Sequence, residues 1–314
     1  ATNFITPTTF EVLSGNKCIV DTFDRGFTFE VEHISLAKKA DLILIAPATA
    51  NIIAKLSAGI ADDMLTTTVL AAKCPILVAP AMNTNMYEHI TVRNNLEKLS
   101  SYGYEIIEAA SGRLACGDVG KGKLADIEVL FDHIVKNIAY EKDLAGKNVL
   151  VTAGPTIEKI DPVRFISNHS SGKMGIELAK AAAYRGAKVR LILGKTALKR
   201  PEFVDIVDVV SAQDMYEAVK EFASDSDIII KSAAVADYRP YDVADEKMKK
   251  SDGELSIRLE RTIDILEYLG ENKKDNQFLC GFSMETSNLI ENSKLKLKKK
   301  NLDMIVANNL KEEG

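Results

Sequence analysis

At 314 residues the chain is too long for one ordinary core and suits two domains of about 150 residues each. With 46% hydrophobic and 27% charged residues it reads as a soluble globular protein, and a net charge of −5 excludes a general hold on nucleic acid or on a membrane surface. Any anion site is therefore local. Cys18, Cys74, Cys116 and Cys280 form no Cys-x-x-Cys pair, there is no signal peptide, and no apolar run approaches the ~20 residues that span a bilayer, so a reducing cytoplasm is expected. His33, His89, His133 and His169 lack metal-ligand spacing, and no metal ligands are assigned. The polar opening Ala1-Thr-Asn-Phe-Ile-Thr and the stop at Gly314, just after a strand-like segment, read as the limits of a piece of a longer protein.

In chain order the pattern is strand, loop, helix, repeated. The apolar run 40–47, closed by Pro47, predicts a buried parallel strand, and 51–70 a helix. A second strand is predicted over 74–80, a helix over 86–103, a third strand over 104–108 and a closing helix over 127–140. The polar stretch 139–147 marks a boundary, giving domains 1–140 and 141–314. The second half restarts with a strand at 148–154, a helix at 175–186 and a strand at 188–194. A helix at 212–224 and strands at 227–232, 277–282 and 303–307 complete it. Such alternation predicts an α/β protein with right-handed crossovers, mostly parallel sheets in both halves, and ligands in loops beyond the strands' C-terminal ends.

In the first half, Pro47-Ala-Thr-Ala-Asn51 follows a strand directly. Its small residues would let a planar ring approach backbone while Thr49 and Asn51 exchange hydrogen bonds; the same residues equally cap a helix. Pro80-Ala-Met-Asn-Thr-Asn-Met86 holds the equivalent position, where Asn83 either binds a carboxylate or caps a helix. The glycine-rich stretch 111–122 has the composition of a mobile lid and would expose the thiol of Cys116. His33, in Val31-Glu-His-Ile-Ser-Leu-Ala, stands near a helix start and suits a structural role as well as a catalytic one.

Together, His-Ile-x-Leu-Ala, Pro-Ala-Thr-Ala-Asn, Pro-Ala-Met-Asn-x-x-Met and Ala-Cys-Gly-Asp-x-Gly-x-Gly, in this order, resemble the flavin-containing cysteine decarboxylases, in their phosphopantothenoylcysteine decarboxylase branch, over residues 1 to about 135. The resemblance implies a flavodoxin-like doubly wound sheet, usually trimeric, with FMN between subunits. It aligns His33 with the catalytic histidine, Asn83 with the residue holding the substrate carboxylate and Cys116 with the acid that returns a proton. Thr49, Ala50 and Asn51 align with the flavin-contacting loop. It also implies a first strand and glycine-rich turn for the FMN phosphate, of which only the tail Phe4-Ile-Thr-Pro is present.

In the second half, Val149-Leu-Val-Thr-Ala-Gly-Pro-Thr156 is a strand running into a turn without a Gly-x-Gly-x-x-Gly fingerprint. Ser170, Ser171, Gly172 and Lys173 open a helix and read either as an anion cradle or as a serine-rich cap. Asp237 ends another strand; Lys247-Met-Lys-Lys250 and Lys294-Leu-Lys-Leu-Lys-Lys-Lys300 are cationic runs, and Lys296 and Lys300 share one side of a helix.

Gly-Pro-Thr-x-Glu-x-Ile-Asp-Pro-Val-Arg, Ile-Ser-Asn-His-Ser-Ser-Gly-Lys-Met-Gly and Ala-Ala-Val-Ala-Asp-Tyr resemble phosphopantothenate–cysteine ligase across roughly 145–310, a Rossmann-like α/β domain dimeric in that family. The order of the two halves is similar to that of the bifunctional bacterial and archaeal enzyme of coenzyme A biosynthesis. Residue by residue, Asn168 aligns with the asparagine that turns over the acyl-nucleotide, Lys247 with the lysine of the second half-reaction, and Ala233 and Ala234 with the substrate loop. Asp237 aligns with a nucleotide contact, Ile263, Asp264, Ile265, Leu266 and Phe282 with the base and ribose region, and Lys296 and Lys300 with basic residues around the nucleotide. CTP and Mg²⁺ are implied, with small-molecule substrates as partners and a further segment beyond Gly314. A peptidyl-cysteine decarboxylase or a flavin prenyltransferase would not need the second half. A regulatory flavodoxin-like subunit would not need His33, Asn83 and Cys116 together.

Overall fold

A computed structural model describes residues 2, 5–22, 31–114, 117–249, 255–285 and 288–309. The chain forms two compact units, Ala1–Ala139 and Tyr140–Gly314.

The first unit is built on a parallel sheet, Ile43–Ala48, Ile76–Pro80 and Glu105–Ile106 in that order. The middle strand is buried along its whole length, as its continuous apolar run requires. Ile76 and Val78 face a cluster with Ile53, Leu56 and Leu99, while Leu77 and Ala79 face one with Ile107 and Leu130. Both faces are thus covered by helices, the doubly wound layering. The strand expected to close at Pro47 runs on to Ala48, with its register shifted after Ile45, where proline has no N–H for the ladder.

Two expected helices are each broken. The segment 51–70 divides into Ala50–Ala58 and Met64–Ala71, because Gly59 (φ 71°) closes the first and an Asp63–Thr66 capping box opens the second. The segment 86–103 divides into Thr84–Glu88 and Ile90–Ser101 at His89, whose ring accepts from the Thr91 N–H at 3.3 Å. In the glycine-rich stretch expected as a mobile lid, Ala110–Arg113 pairs antiparallel with Val119–Lys123, and residues 115 and 116 lie outside the described residues. A Cβ on Gly122 would lie 2.3 Å from the Met82 carbonyl oxygen, so glycine lets the hairpin seat against the loop carrying Asn83.

The second unit holds a six-stranded sheet, all parallel, ordered Val204–Asp208, Lys188–Leu193, Asn148–Ala153, Ile228–Lys231, Phe278–Glu285, Met304–Asn309. By first appearance this is 3-2-1-4-5-6, the doubly wound dinucleotide-fold order, and the direction of winding reverses between Asn148–Ala153 and Ile228–Lys231. Leu150, Ile229 and Leu279 pack on one face with Met215 and Leu266; Val149, Val151 and Leu191 pack on the other with Ile176 and Ala179. The edge strand Val204–Asp208 was not among the expected elements. Two antiparallel ribbons stand outside the sheet, Ile157–Lys159 with Phe165–Ser167 and Tyr238–Pro240 with Leu259–Arg261. Among the described residues no helix is long and apolar enough to cross a membrane.

Candidate active site

In the first unit the two strand-end loops are neighbours, the Ala81 N–H donating to the Ala48 carbonyl at 3.0 Å. Thr49 caps the helix Ala50–Ala58 by accepting from the Ile52 N–H at 3.3 Å. Both Thr49 and Asn51 are exposed, and Ala50 between them is half-buried. Asn83 also caps, its Oδ1 accepting from the Asn85 N–H at 2.9 Å, while its Nδ2 donates to Asp118 on the hairpin at 3.4 Å. Beside it lies a cavity of about 380 Å³ lined by Asn83, Arg113, Lys123 and the backbone-rich segment Ala81 to Met82, among others. Two cations next to a side-chain amide form a donor set for a carboxylate.

Cys116 lies outside the described residues. His33 is the second residue of the helix Glu32–Lys39 and half-buried. A larger cavity in this unit, about 650 Å³, is lined by Tyr87, Arg93, Glu97, Glu108 and neighbours and includes none of the residues named above. The larger cavity also carries two cations, Arg93 and Lys121, but Asn83 lies in the smaller one.

In the second unit the helix Lys173–Tyr184 starts hard against the sheet's switch point. A Cβ on Gly175 would lie 2.5 Å from both the Ala153 Cβ and the Ser232 Oγ, an approach that only glycine permits. Ser170 accepts from the Gly172 N–H (3.2 Å) and Ser171 from the Lys173 N–H (3.3 Å), so serines occupy two amides of the expected anion cradle. Asn168 donates to the Ala234 carbonyl at 2.9 Å, and the Ala234 N–H donates to Gly154 at 3.0 Å. Ala233 N–H donates to Thr152 Oγ1 at 3.2 Å. Asn168, Ala233 and Ala234 are thereby gathered at the switch point.

Next to them a cavity of about 580 Å³ is lined by Asp237, Ile263, Asp264, Ile265, Leu266, Phe282, Lys296 and Lys300, which come from four separate stretches of chain. Lys231, Arg261 and Lys299 join them, making five cations against the acids Asp237, Asp264 and Glu267. A net-acidic chain thus holds a net-cationic cavity. Lys300 is hydrogen-bonded to Asp264, and Lys296 donates to the Phe282 carbonyl at 3.3 Å. Burial pushes the Asp264 carboxyl up, but Lys300 and the Glu267 N–H hold it below its ordinary value. Lys247, exposed, is not among the side chains lining this cavity, and Lys250 lies outside the described residues.

Residues 144–314 match the family model described as DNA/pantothenate metabolism flavoprotein C-terminal domain, and residues 1–139 the model described as Flavoprotein. The chain is 50% identical over 317 residues to the coenzyme A biosynthesis bifunctional protein CoaBC of Bacillus subtilis (strain 168), an alignment spanning all of this chain and 78% of that protein. The chain belongs to the coenzyme A biosynthesis bifunctional proteins. A cysteine/cysteine sulfinic acid decarboxylase from an unknown prokaryotic organism is 49% identical over 99% of this chain and 88% of its own length. A crystal structure of the C-terminal domain of a CoaBC protein is 53% identical, covers 53% of this chain and 79% of its own, and has a TM-score of 0.48.

In this bifunctional coenzyme A biosynthesis enzyme, sequence reasoning missed Lys231. It sits at the end of an apolar strand, where a lysine reads as the strand's polar limit. Its Nζ donates to the Ala233 carbonyl at 3.0 Å. Burial, then the nearby Lys296, pushes its ammonium down to about 8, with Asp264 opposing. Arg113 and Lys123 were missed as a pair because the hairpin register that brings them beside Asn83 is not a local signal.

Proposed function

We propose that the second unit ligates cysteine to 4′-phosphopantothenate using CTP and that the first unit decarboxylates the phosphopantothenoylcysteine so formed. The observation that carries the reading is the cationic cavity at a doubly wound switch point, where eight residues aligned with nucleotide contacts converge. The base and ribose lie against Ile263, Ile265, Leu266 and Phe282, with Asp237 and Asp264 as polar contacts, and Lys296 and Lys300 offset phosphate charge. The pantothenate carboxylate oxygen attacks the α-phosphorus of CTP and pyrophosphate leaves. The amine of cysteine then attacks the acyl carbon and CMP leaves, with Asn168, Ala233 and Ala234 holding the acyl group and Lys247 serving this second step. Among the described residues no three His, Cys, Asp or Glu side chains are placed to hold a metal. Mg²⁺ would be carried on the triphosphate and met by one or two carboxylates such as Asp237.

In the first unit, an exposed hydroxyl and amide, Thr49 and Asn51, flank the small Ala50 at a strand's C-terminal end, a donor set that fits the polar edge of a flavin. FMN, when bound, supplies the two-electron oxidation and its return. The chain's own residues bind and move protons: Asn83, with Arg113 and Lys123, holds the substrate carboxylate, His33 takes or orients the thiol proton, and Cys116 returns a proton at the end. The proposal includes trimers through the first unit, dimers through the second, and a cytoplasmic setting.

The test is carbon dioxide release from phosphopantothenoylcysteine compared with free cysteine and cysteine sulfinic acid. The expected result is turnover of the first alone. Equal or faster turnover of the free amino acids would transfer the first unit to the chemistry named for the 49% identical relative.

A further inference from the structure

The strand Ile228–Lys231 lies in the middle of the six-stranded sheet, where three isoleucines run into a lysine at the strand's end. Lys231 pairs with Thr152 on one side and with Gly281 on the other. A charge is costly in this place, because burial disfavours the ammonium and the nearby Lys296 repels it. The ladder uses backbone groups only, so nothing in the sheet requires that charge.

Lys231 stands where two arrangements meet. It lines the cationic cavity with Asp237, Asp264, Phe282, Lys296 and Lys300. Its Nζ also donates to the Ala233 carbonyl at 3.0 Å, one peptide before the Ala234 carbonyl that accepts from Asn168 at 2.9 Å. The backbone between the two is held from the next strand. Ser232 Oγ donates to the Thr152 carbonyl at 2.9 Å, the Ala233 N–H to Thr152 Oγ1 at 3.2 Å and the Ala234 N–H to the Gly154 carbonyl at 3.0 Å.

Two other cations of the cavity are already engaged, Lys300 with Asp264 and Lys296 with the Phe282 carbonyl at 3.3 Å. Among the described residues Lys231 makes one hydrogen bond, to a neutral carbonyl, and none to a carboxylate. An ammonium has three donors, so two are left for whatever fills the cavity. Asp264 and Asp237 act on it through space, against the repulsion of Lys296 and Lys300.

We propose that Lys231 is a further nucleotide-binding residue, whose ammonium holds the α-phosphate of CTP, the phosphate that is joined to the acyl group and leaves in CMP. This rests on the nucleotide reading of the cavity given above. Of the three phosphates, only the α-phosphate must touch both the nucleoside and the acyl loop. Lys231 is the lysine that lines the cavity and is bonded to that loop. Lysine serves a single phosphate as a point charge, and an anion placed there offsets the repulsion from Lys296.

The test is calorimetric titration of the full-length protein with CTP and with CMP, and competition of cytidine against CTP, in Lys231→Met and Lys231→Gln. Both variants are expected to bind CTP and CMP roughly tenfold more weakly than the parent and cytidine within about twofold. Glutamine can still donate to the Ala233 carbonyl, so an equal loss in that variant marks the charge as the cause. Weaker CTP beside unchanged CMP would put the lysine on the outer phosphates and overturn the proposal. An equal loss for cytidine would overturn it as well, since the base or the cavity's shape would then be what Lys231 serves. Parental binding by Lys231→Gln, with loss in Lys231→Met alone, would leave Lys231 only a brace for the Ala233 carbonyl. A parent that binds neither CTP nor CMP removes the nucleotide reading and this proposal together. Parental nucleotide binding that neither substitution changes removes this proposal alone.

Discussion

Replacing Lys231 by methionine should make the ligand-free protein more stable and its nucleotide binding weaker. The Lys231 ammonium falls from 10.5 to about 8 on folding, chiefly through burial and then through Lys296. Each pH unit of that fall is worth about 1.4 kcal/mol, so a charged Lys231 costs the folded state ~3 kcal/mol at neutral pH. The direction follows from proton counts. Below about 8 the lysine is charged in both states and the full penalty applies. Between about 8 and 10.5 the unfolded chain keeps a proton that the folded chain has lost, so stability rises with pH. Methionine, similar in length and uncharged, removes the penalty and gives up the bond to the Ala233 carbonyl, worth ~1 kcal/mol. The net gain of ~2 kcal/mol at pH 7 raises the melting temperature of a unit this size by roughly 4–8 °C. Calorimetry of the intact chain at pH 7 and 9.5 checks this: the advantage should shrink at the higher pH, and titration should show weaker CTP binding. A variant less stable than its parent at pH 7, or an advantage independent of pH, would refute the reasoning.

Gly122→Ala puts a Cβ 2.3 Å from the Met82 carbonyl at a φ of 144°, so the hairpin should lift from the Asn83 loop and carbon dioxide release should fall sharply while CMP release is unchanged. Glu105, 2.9 Å from Asn137 Nδ2 and 2.5 Å from His133 Nδ1, is pushed up by burial but held down to about 2 by those partners. Its stabilisation is present above 4.5 and fades as pH falls from 4.5 towards 2, so Glu105→Gln should lose ~1–3 kcal/mol at pH 7 and flatten the acid limb of an unfolding-versus-pH curve. For Asn168→Asp the acyl-cytidylate should accumulate in quenched reactions, and ordinary turnover would detach Asn168 from that step. Cys116→Ser should block completion of decarboxylation and leave CMP release intact; loss of both would mean that Cys116 matters to folding instead.

The elements legible in the sequence were those whose signal is local and strong. Ile76–Pro80 and Asn148–Ala153 are continuous apolar runs bounded by turn residues, and both are buried central strands. The elements that were misread turn on capping. Gly59 and His89 end or start helices inside stretches whose apolar spacing continues across the break, so periodicity alone joined what the backbone separates. Val204–Asp208 sets two aspartates among three apolar residues on a half-buried sheet edge, too weak a pattern beside the buried strands. Composition marks the glycine-rich stretch as a lid but carries no sign that a Cβ on Gly122 would meet the Met82 carbonyl oxygen. The residues around the second unit's cationic cavity were singled out by a family resemblance. No local rule links Asp237, Ile263, Phe282 and Lys300; only the strand order brings them together.

Two activities in one chain remain the central claim. The most direct measurement supplies the full-length protein with phosphopantothenate, cysteine, CTP and Mg²⁺ and follows CMP and carbon dioxide together. CMP should appear only when phosphopantothenate and cysteine are both present, and carbon dioxide should follow it with a lag and approach one equivalent per CMP. Carbon dioxide released from cysteine without CTP or phosphopantothenate, or no CMP at all, would contradict the account.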